Sequence, residues 1–353
     1  MTLPVASPLP PMLARLAREL PRGAYFYEPK WDGFRALAFR DGESVEIQSR
    51  HGRPLARYFP EIVEALLALA PPRFVLDGEV VVTGSSGLDF PALMARLHPV
   101  GSRVERLRRE TPAQLVAFDL LALGDEALLA TPFEERRARL EAVVRNGSGV
   151  VLTPVTDDPN IAAAWLDSSS GGGVDGVVAK ERGLTYQPGK RVMVKVKNER
   201  TADCVVAGFR WLAEDDLVSS LLLGLHDEDG GLRHVGVVTA FTRDERMRVT
   251  GEVAPLATTL VGHPWERGFG LERSPLGRLL GAAGRWIPDE MAMDWTPVRP
   301  ELVCEVAYDH VDGQRFRHPA RFRRWRPDRD PRSCALDQLE AGAPELPRLL
   351  AAR

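Results

Sequence analysis

The chain has 353 residues, 44% hydrophobic and 27% charged, the make-up of a globular protein with room for two or three domains. Its formal net charge of −3 excludes a uniformly basic nucleic-acid binder. No apolar run reaches the roughly eighteen residues of a membrane span, and the N-terminus lacks the basic-then-apolar order of a signal peptide. Cys204, Cys304 and Cys334 are far apart and form neither a C-x-x-C pair nor a disulfide framework, which points to a reducing, cytoplasmic setting.

In chain order, the Pro-rich start reads as an extended lead-in. Ala24–Lys30 alternates small, aromatic and polar residues, the pattern of a strand. Phe34–Phe39 and Val45–Ser49 flank Arg40-Asp41-Gly42-Glu43 and predict a hairpin, because Asp-Gly favours a tight turn. Pro60–Leu69 has helical spacing. Phe74–Val82 is apolar and β-branched on both sides of Asp77-Gly78-Glu79, which suits a buried strand pair or one bulged strand. Phe90–Leu97 predicts a short helix and Leu115–Leu121 a strand carrying Phe118-Asp119. Phe133–Val144 predicts an amphipathic helix, with Pro132 well placed at its start. Pro159–Leu166 follows as a helix, Ser168–Gly173 as a flexible loop, and Val174–Lys180 and Val192–Lys197 as strands. Up to Asn198 the chain therefore reads as mixed α+β with antiparallel hairpins.

After Asn198 the texture changes. Cys204–Phe209, Leu217–Leu225, Leu232–Ala240 and Leu302–Tyr308 read as short strands separated by Pro-, Gly- and Asp-rich turns, with one helical insert at Arg243–Ala254. This fits a small β-barrel of the oligonucleotide-binding (OB) kind or a generic β-sandwich, and periodicity alone does not choose. Leu336–Arg353 reads as a helix and a loose tail. The expected organisation is residues 1–198, 199–335 and a tail 336–353.

Several short elements carry chemistry. Lys30 stands in Tyr27-Glu28-Pro29-Lys30-Trp31-Asp32-Gly33-Phe34-Arg35, with Glu28 before it and Arg35 after the Asp-Gly. Ser49-Arg50-His51-Gly52 ends a strand and offers an arginine to a phosphate. Asp77-Gly78-Glu79 and Val174-Asp175-Gly176 place carboxylates among apolar residues, where ionised groups need a partner or a metal. Phe118 offers an aromatic face. Lys195 and Lys197 are two apart and share one face of a strand. Arg315 to Arg332 is dense in arginine, either a solvated face or a phosphate-binding strip. No Walker P-loop occurs, Gly171-Gly172-Gly173 reads as a loop, and no spaced His/Cys set suggests zinc.

Taken in order, these stretches resemble the signature of the covalent nucleotidyltransferases: ATP-dependent DNA ligases, RNA ligases and mRNA capping enzymes. The resemblance runs from Glu28 to Asp328 and is greatest to the short bacterial ATP-dependent DNA ligases of the ligase C type, through YEPKWDGFRAL, LDGEVVV, LVAFDLLALG, DGVVAK, TYQPGKRVMVKVKNERTADCVVAGFR and FRHPARFRRWRPDRDPRSC. It implies an α+β adenylation domain followed by an OB-fold barrel. It implies ATP and a divalent metal (Mg2+ or Mn2+) as cofactors. Lys30 would be the adenylated nucleophile, Asp32 would matter for closing the nick, and Glu28 would help orient the adenosine. Arg35 and Arg50 would contact ribose, phosphate or the nick, and Phe118 would stack on adenine. Glu79 and Asp175 would hold metal, and Lys195 and Lys197 would neutralise phosphates. Arg326 and Asp328 would orient the leaving pyrophosphate.

Three positions depart from the wider family. Asp175 stands in place of Glu, Met193 in place of a commonly aromatic residue, and Arg329 in place of a last lysine, a change of donor geometry. The implied function is sealing of nicks in duplex DNA through lysyl-AMP, in DNA repair, by a monomer associated with the nucleoid. A repair polymerase or an end-binding protein is a candidate further partner. An RNA ligase, a capping guanylyltransferase and a non-catalytic nucleic-acid binder are the alternatives.

Overall fold

A computed structural model describes residues 3–339 apart from 85–86, 98–99, 145–148, 169–173, 198, 214 and 269–294. The chain divides into two compact units at the junction of residues 198 and 199.

The first unit contains β1 (Leu13–Ala17), β2 (Tyr25–Trp31), β3 (Phe34–Asp41), β4 (Ser44–Ser49), β5 (Arg73–Gly84), β6 (Gly87–Leu88), β7 (Ala113–Leu123), β8 (Glu126–Ala127), β9 (Val150–Leu152), β10 (Val174–Glu181) and β11 (Arg191–Val196). Its helices are α1 (Pro60–Ala68), α2 (Phe90–Arg96), α3 (Gly101–Glu110), α4 (Phe133–Val144) and α5 (Pro159–Ser168). One sheet runs β1-β11-β10-β2 and a second runs β4-β3-β5-β7-β8. Ala36, Ala38, Leu76 and Leu115 of the second sheet pack with Ile62 and Leu66 of α1 and Leu140 of α4. Alternate residues on its other face, Leu37, Phe39 and Val75, pack with Met12, Tyr186 and Met193.

The predicted hairpin is present: β3 and β4 pair up to Asp41 and Ser44, around Gly42 at φ +63°. β2 and β3 lie in different sheets, so Asp32-Gly33 is where the chain crosses from one to the other. A Cβ on Gly33 would stand 2.2 Å from the Val80 carbonyl oxygen, so only glycine permits the approach. Phe74–Val82 proves to be part of one long strand, with a register shift at Asp77/Gly78 against β7. Among the elements that go beyond the expectation are β1 and α3. The lead-in contributes β1, parallel to β11. α3 buries only Val104 and Leu107, an apolar stripe too thin to show through its charged residues.

The second unit contains β12 (Arg200–Leu212), β13 (Asp215–His226), β14 (Leu232–Val238), α6 (Arg243–Val253), β15 (Thr296–Tyr308), β16 (Val311–Asp312), β17 (Arg315–Phe316) and β18 (Arg321–Trp325). Three of the four expected strands are longer than predicted, β12 and β15 having 13 residues each, and β14 ends short of the predicted Ala240. The sheet order is β14-β13-β12-β15-β18. Its two edges meet where Val238 bridges Ala320, next to β18, which closes the sheet on itself and favours a barrel over a sandwich. α6 starts on a capping box between Thr242 and Glu245. The arginine-rich segment supplies β17 and β18. Of the expected C-terminal helix, Leu336–Leu339 forms a 3-10 turn, and residues 340–353 lie outside the described residues. The loop expected over Ser168–Gly173 lies outside them too, beyond Ser168.

Candidate active site

The two sheets of the first unit enclose a cavity of ≈ 180 Å³. Strand alternation decides what enters it. Glu28 and Lys30 on β2, Val178 and Lys180 on β10, and Met193 and Lys195 on β11 all line it. Val178 pairs with Glu28 on one side and with Lys195 on the other, so these three form a row across the sheet. The second sheet contributes Arg35 and Glu79, direct cross-strand partners, and Phe118; Arg50 follows β4.

Lys30 Nζ lies 2.6 Å from Asp175 Oδ1, and Lys197 Nζ 2.8 Å from Asp175 Oδ2. Asp175 therefore draws two ammonium groups together at the cavity, and Lys30 keeps 24% of its side chain exposed, enough to meet a ligand. A backbone irregularity aims Asp175: Gly176 has φ +147°, and a Cβ there would stand 2.1 Å from the Val196 carbonyl oxygen. Lys195 has its pKa pushed down by burial and by its neighbours Lys30 and Lys197. Burial pushes the Glu79 carboxyl up to about 7, against the pull of Arg35 and Lys30. Asp32, in the link between the sheets, adds a like charge felt at Glu79.

Arg35 is anchored from below. It donates two 2.6 Å hydrogen bonds to the buried Asp77, which also accepts from Tyr186 Oη at 2.7 Å. The guanidinium stands over the Phe118 ring, 4.5 Å from its centroid. The next residue, Asp119, pairs with buried Arg136 through two bonds of 2.7 and 2.9 Å. Buried Lys180 donates to Glu28 Oε2 at 2.7 Å and to the Phe118 carbonyl oxygen at 3.0 Å. Glu28 Oε1 has no hydrogen-bond partner and is buried.

Thus Glu28, Lys30, Arg35, Arg50, Glu79, Phe118 and Lys195 share one cavity, with Asp175 and Lys197 joined to it through Lys30. Arg326 and Asp328 belong to the second unit. There Arg326 donates 2.9 and 3.0 Å bonds to Asp203, and pairs with Asp328 at 2.9 Å. Sequence reasoning missed the supports: Asp77, Tyr186, Lys180, Asp119 and Arg136. A signal existed for two of them. Asp77 is two residues from Glu79, and Lys180 two from Val178, in apolar strands where a charge needs a partner.

A partly exposed lysine amine in a two-sheet cavity, beside an aromatic wall and further cations, is the arrangement that the resemblance to the covalent nucleotidyltransferases implies. The family described as ATP dependent DNA ligase domain matches residues 6–197, and its ATP dependent DNA ligase C terminal region matches residues 214–329. DNA ligase C2 of Mycolicibacterium smegmatis is 50% identical over 344 residues, covering 97% of each chain. DNA ligase C of Mycobacterium tuberculosis is 49% identical over 348 residues, covering 96% of each. A solved Lig E DNA ligase, 16% identical, covers 89% of this chain and 99% of its own with a TM-score of 0.52, a likeness of fold. The chain belongs to the ATP-dependent DNA ligases.

Proposed function

We propose that this ligase seals nicks in duplex DNA, in DNA repair, by carrying AMP on Lys30 Nζ. The observation that carries the reading is Lys30, partly exposed at the cavity and held 2.6 Å from a carboxylate that also holds Lys197. Phosphoryl transfer is chiefly positioning and charge neutralisation. Lys30 gives up its proton, for which Asp175 Oδ1 is the nearest acceptor. Nζ then attacks the α-phosphorus of ATP; the N–P bond forms as the P–O bond to the β-phosphate breaks, and pyrophosphate leaves with that electron pair. Lys195 and Lys197 offset the charge that develops. AMP next passes to the 5′-phosphate of the nick, and the 3′-hydroxyl displaces it. The arginines of β17 and β18 would grip the duplex backbone without reading sequence. The proposed setting is the nucleoid, with a repair polymerase or end-binding protein as partner. Intact mass after incubation with ATP and magnesium tests the core of this: a gain of one AMP, reversed by pyrophosphate, is expected.

Phe118 lines the cavity with Arg35 stacked on it, and we assign it the adenine. Stacking is worth about 1–3 kcal/mol per base. Phe118→Ala is therefore expected to raise the KM for ATP roughly 5- to 150-fold and to slow sealing of a pre-adenylated nick much less. Equal losses in the two assays would mark Phe118 as a packing residue.

Glu79 and Asp175 supply hard oxygen donors in the field of Lys30. Mg2+ is commonly held by one or two carboxylates plus phosphate oxygens and water, so the pair fits a divalent ion that arrives with the nucleotide. Such an ion would polarise the phosphate oxygens. Because the Glu79 carboxyl titrates near 7, protons compete with metal below that pH and not above it. The metal concentration giving half-maximal AMP uptake should rise by up to about tenfold per pH unit below 7. Glu79→Gln should abolish that rise, and a flat metal requirement in the unmodified enzyme between about pH 5.5 and 8 counts against the assignment.

A further inference from the structure

Lys180 stands on β10 among apolar residues, and the register places it one step along the sheet from the pair Val178–Glu28. It is 2% exposed. An ammonium has three donors, and here two of them meet protein acceptors while two rings flank the charge. Glu28 Oε2 accepts at 2.7 Å, the Phe118 carbonyl oxygen accepts at 3.0 Å, and the rings of Phe133 and Phe118 lie 4.3 and 4.9 Å away. Lys180 thus lines the cavity but directs two of its donors to protein acceptors. It ties the aromatic wall to the acidic wall.

Glu28 shows what that tie does. Its carboxylate is 3% exposed, and burial pushes its pKa up; Lys180 is the strongest influence pulling it back, ahead of Arg137. With Oε2 taken by Lys180, Oε1 is buried without a hydrogen-bond partner in a residue that lines the cavity, and Arg137 Nη1, 3.7 Å away, makes no bond to it. A buried acceptor left open costs free energy until a ligand donor reaches it. An ionised carboxylate is acceptor-only; a protonated one can donate.

We propose that Lys180 is the positioning residue that sets base selectivity, by keeping Glu28 ionised with Oε1 turned toward the base while pinning Phe118 beside it. An ionised acceptor favours adenine, which presents an exocyclic amine, over guanine, which presents a carbonyl oxygen at the same edge. The inference rests on the assignment of Phe118 and Glu28 to the base of ATP.

The test uses the full-length enzyme with Lys180→Met, measuring AMP and GMP uptake onto Lys30 at pH 6 to 9 and sealing of a pre-adenylated nick. Three results are expected. The KM for ATP rises tenfold or more, the preference for ATP over GTP shrinks at least tenfold, and a new pH dependence appears in which ATP use recovers as pH rises and Glu28 ionises. Sealing of the pre-adenylated nick falls far less. An unchanged ATP-to-GTP ratio with no new pH dependence overturns the proposal, as does equal loss in both assays. If Lys180→Met does not fold, Lys180→Gln is read by the same pH profile, and Lys180→Arg should restore selectivity without the new pH dependence. Glu28→Gln separates the two levels of inference. If it shifts ATP selectivity while the Lys180 variants do not, the role of Lys180 fails alone; if it too leaves selectivity unmoved, the placement of the base fails.

Discussion

Lys30→Ala protein incubated with α-labelled ATP and magnesium is expected to take up no label, and nick sealing from ATP to fall on the order of 10⁴-fold or more, the loss that removal of the proposed nucleophile should cause. The fold should survive the change. Lys30 is at the rim of the cavity, its recorded ion pair is with Asp175, and Asp175 keeps Lys197 at 2.8 Å when Lys30 is gone. Circular dichroism and thermal unfolding should therefore match the unmodified enzyme to within a degree or two. A nick that already bears AMP bypasses the lysine, so the variant should seal it at a measurable rate. Label incorporated by Lys30→Ala at the unmodified level would remove the basis of the proposed mechanism, because the other cavity lysines, Lys180 and Lys195, would then have to carry the nucleotide.

The second large effect is on stability, and it comes from a residue with no assigned part in the chemistry. Asp77 is fully buried and accepts from Arg35 twice and from Tyr186 once. Truncating it to alanine leaves the Tyr186 phenol without this acceptor and the Arg35 guanidinium without its carboxylate, with a 3.2 Å bond to the Met12 carbonyl oxygen remaining. Breaking a buried ion pair from one side costs about 3–5 kcal/mol, a large share of the roughly 5–15 kcal/mol that a domain has in all. Denaturant unfolding of Asp77→Ala should show a loss of that order. Asp77→Asn, which keeps an acceptor oxygen for Tyr186, should lose less. Since Arg35 stands over Phe118, Asp77→Asn should also raise the KM for ATP where it still folds. A change below about 1 kcal/mol for the alanine variant would mean that Arg35 finds other partners, and that the anchoring of the cavity wall has been misread.

Much of the site was legible before any coordinates. Lys30 with its Asp-Gly, the ordered carboxylates, Phe118 and the lysine pair are local patterns, and period-two alternation already put Lys195 and Lys197 on one face. The hairpin at Gly42 and the helix Phe133–Val144 were equally legible, because turn chemistry and apolar spacing act over a few residues. α3 was not. Its two buried residues are outnumbered by charges, and its helix is recognisable only once something packs on Val104 and Leu107. The length of the barrel strands was also hidden, since bulges in β12 and β15 break the alternation on which a strand is read.

By itself, then, the sequence determined the family, the order of the motifs and which lysine is proposed as the nucleophile. Only the tertiary structure decided who holds whom. Asp175 reaches Lys30 across 145 residues of chain, Tyr186 reaches Asp77 across 109, and Lys180 reaches the Phe118 carbonyl across 62. Such pairs depend on strand register and on how two sheets close over one another. A one-residue shift in strand register would turn the strand residues among them, Lys30, Asp77, Asp175 and Lys180, to the opposite face.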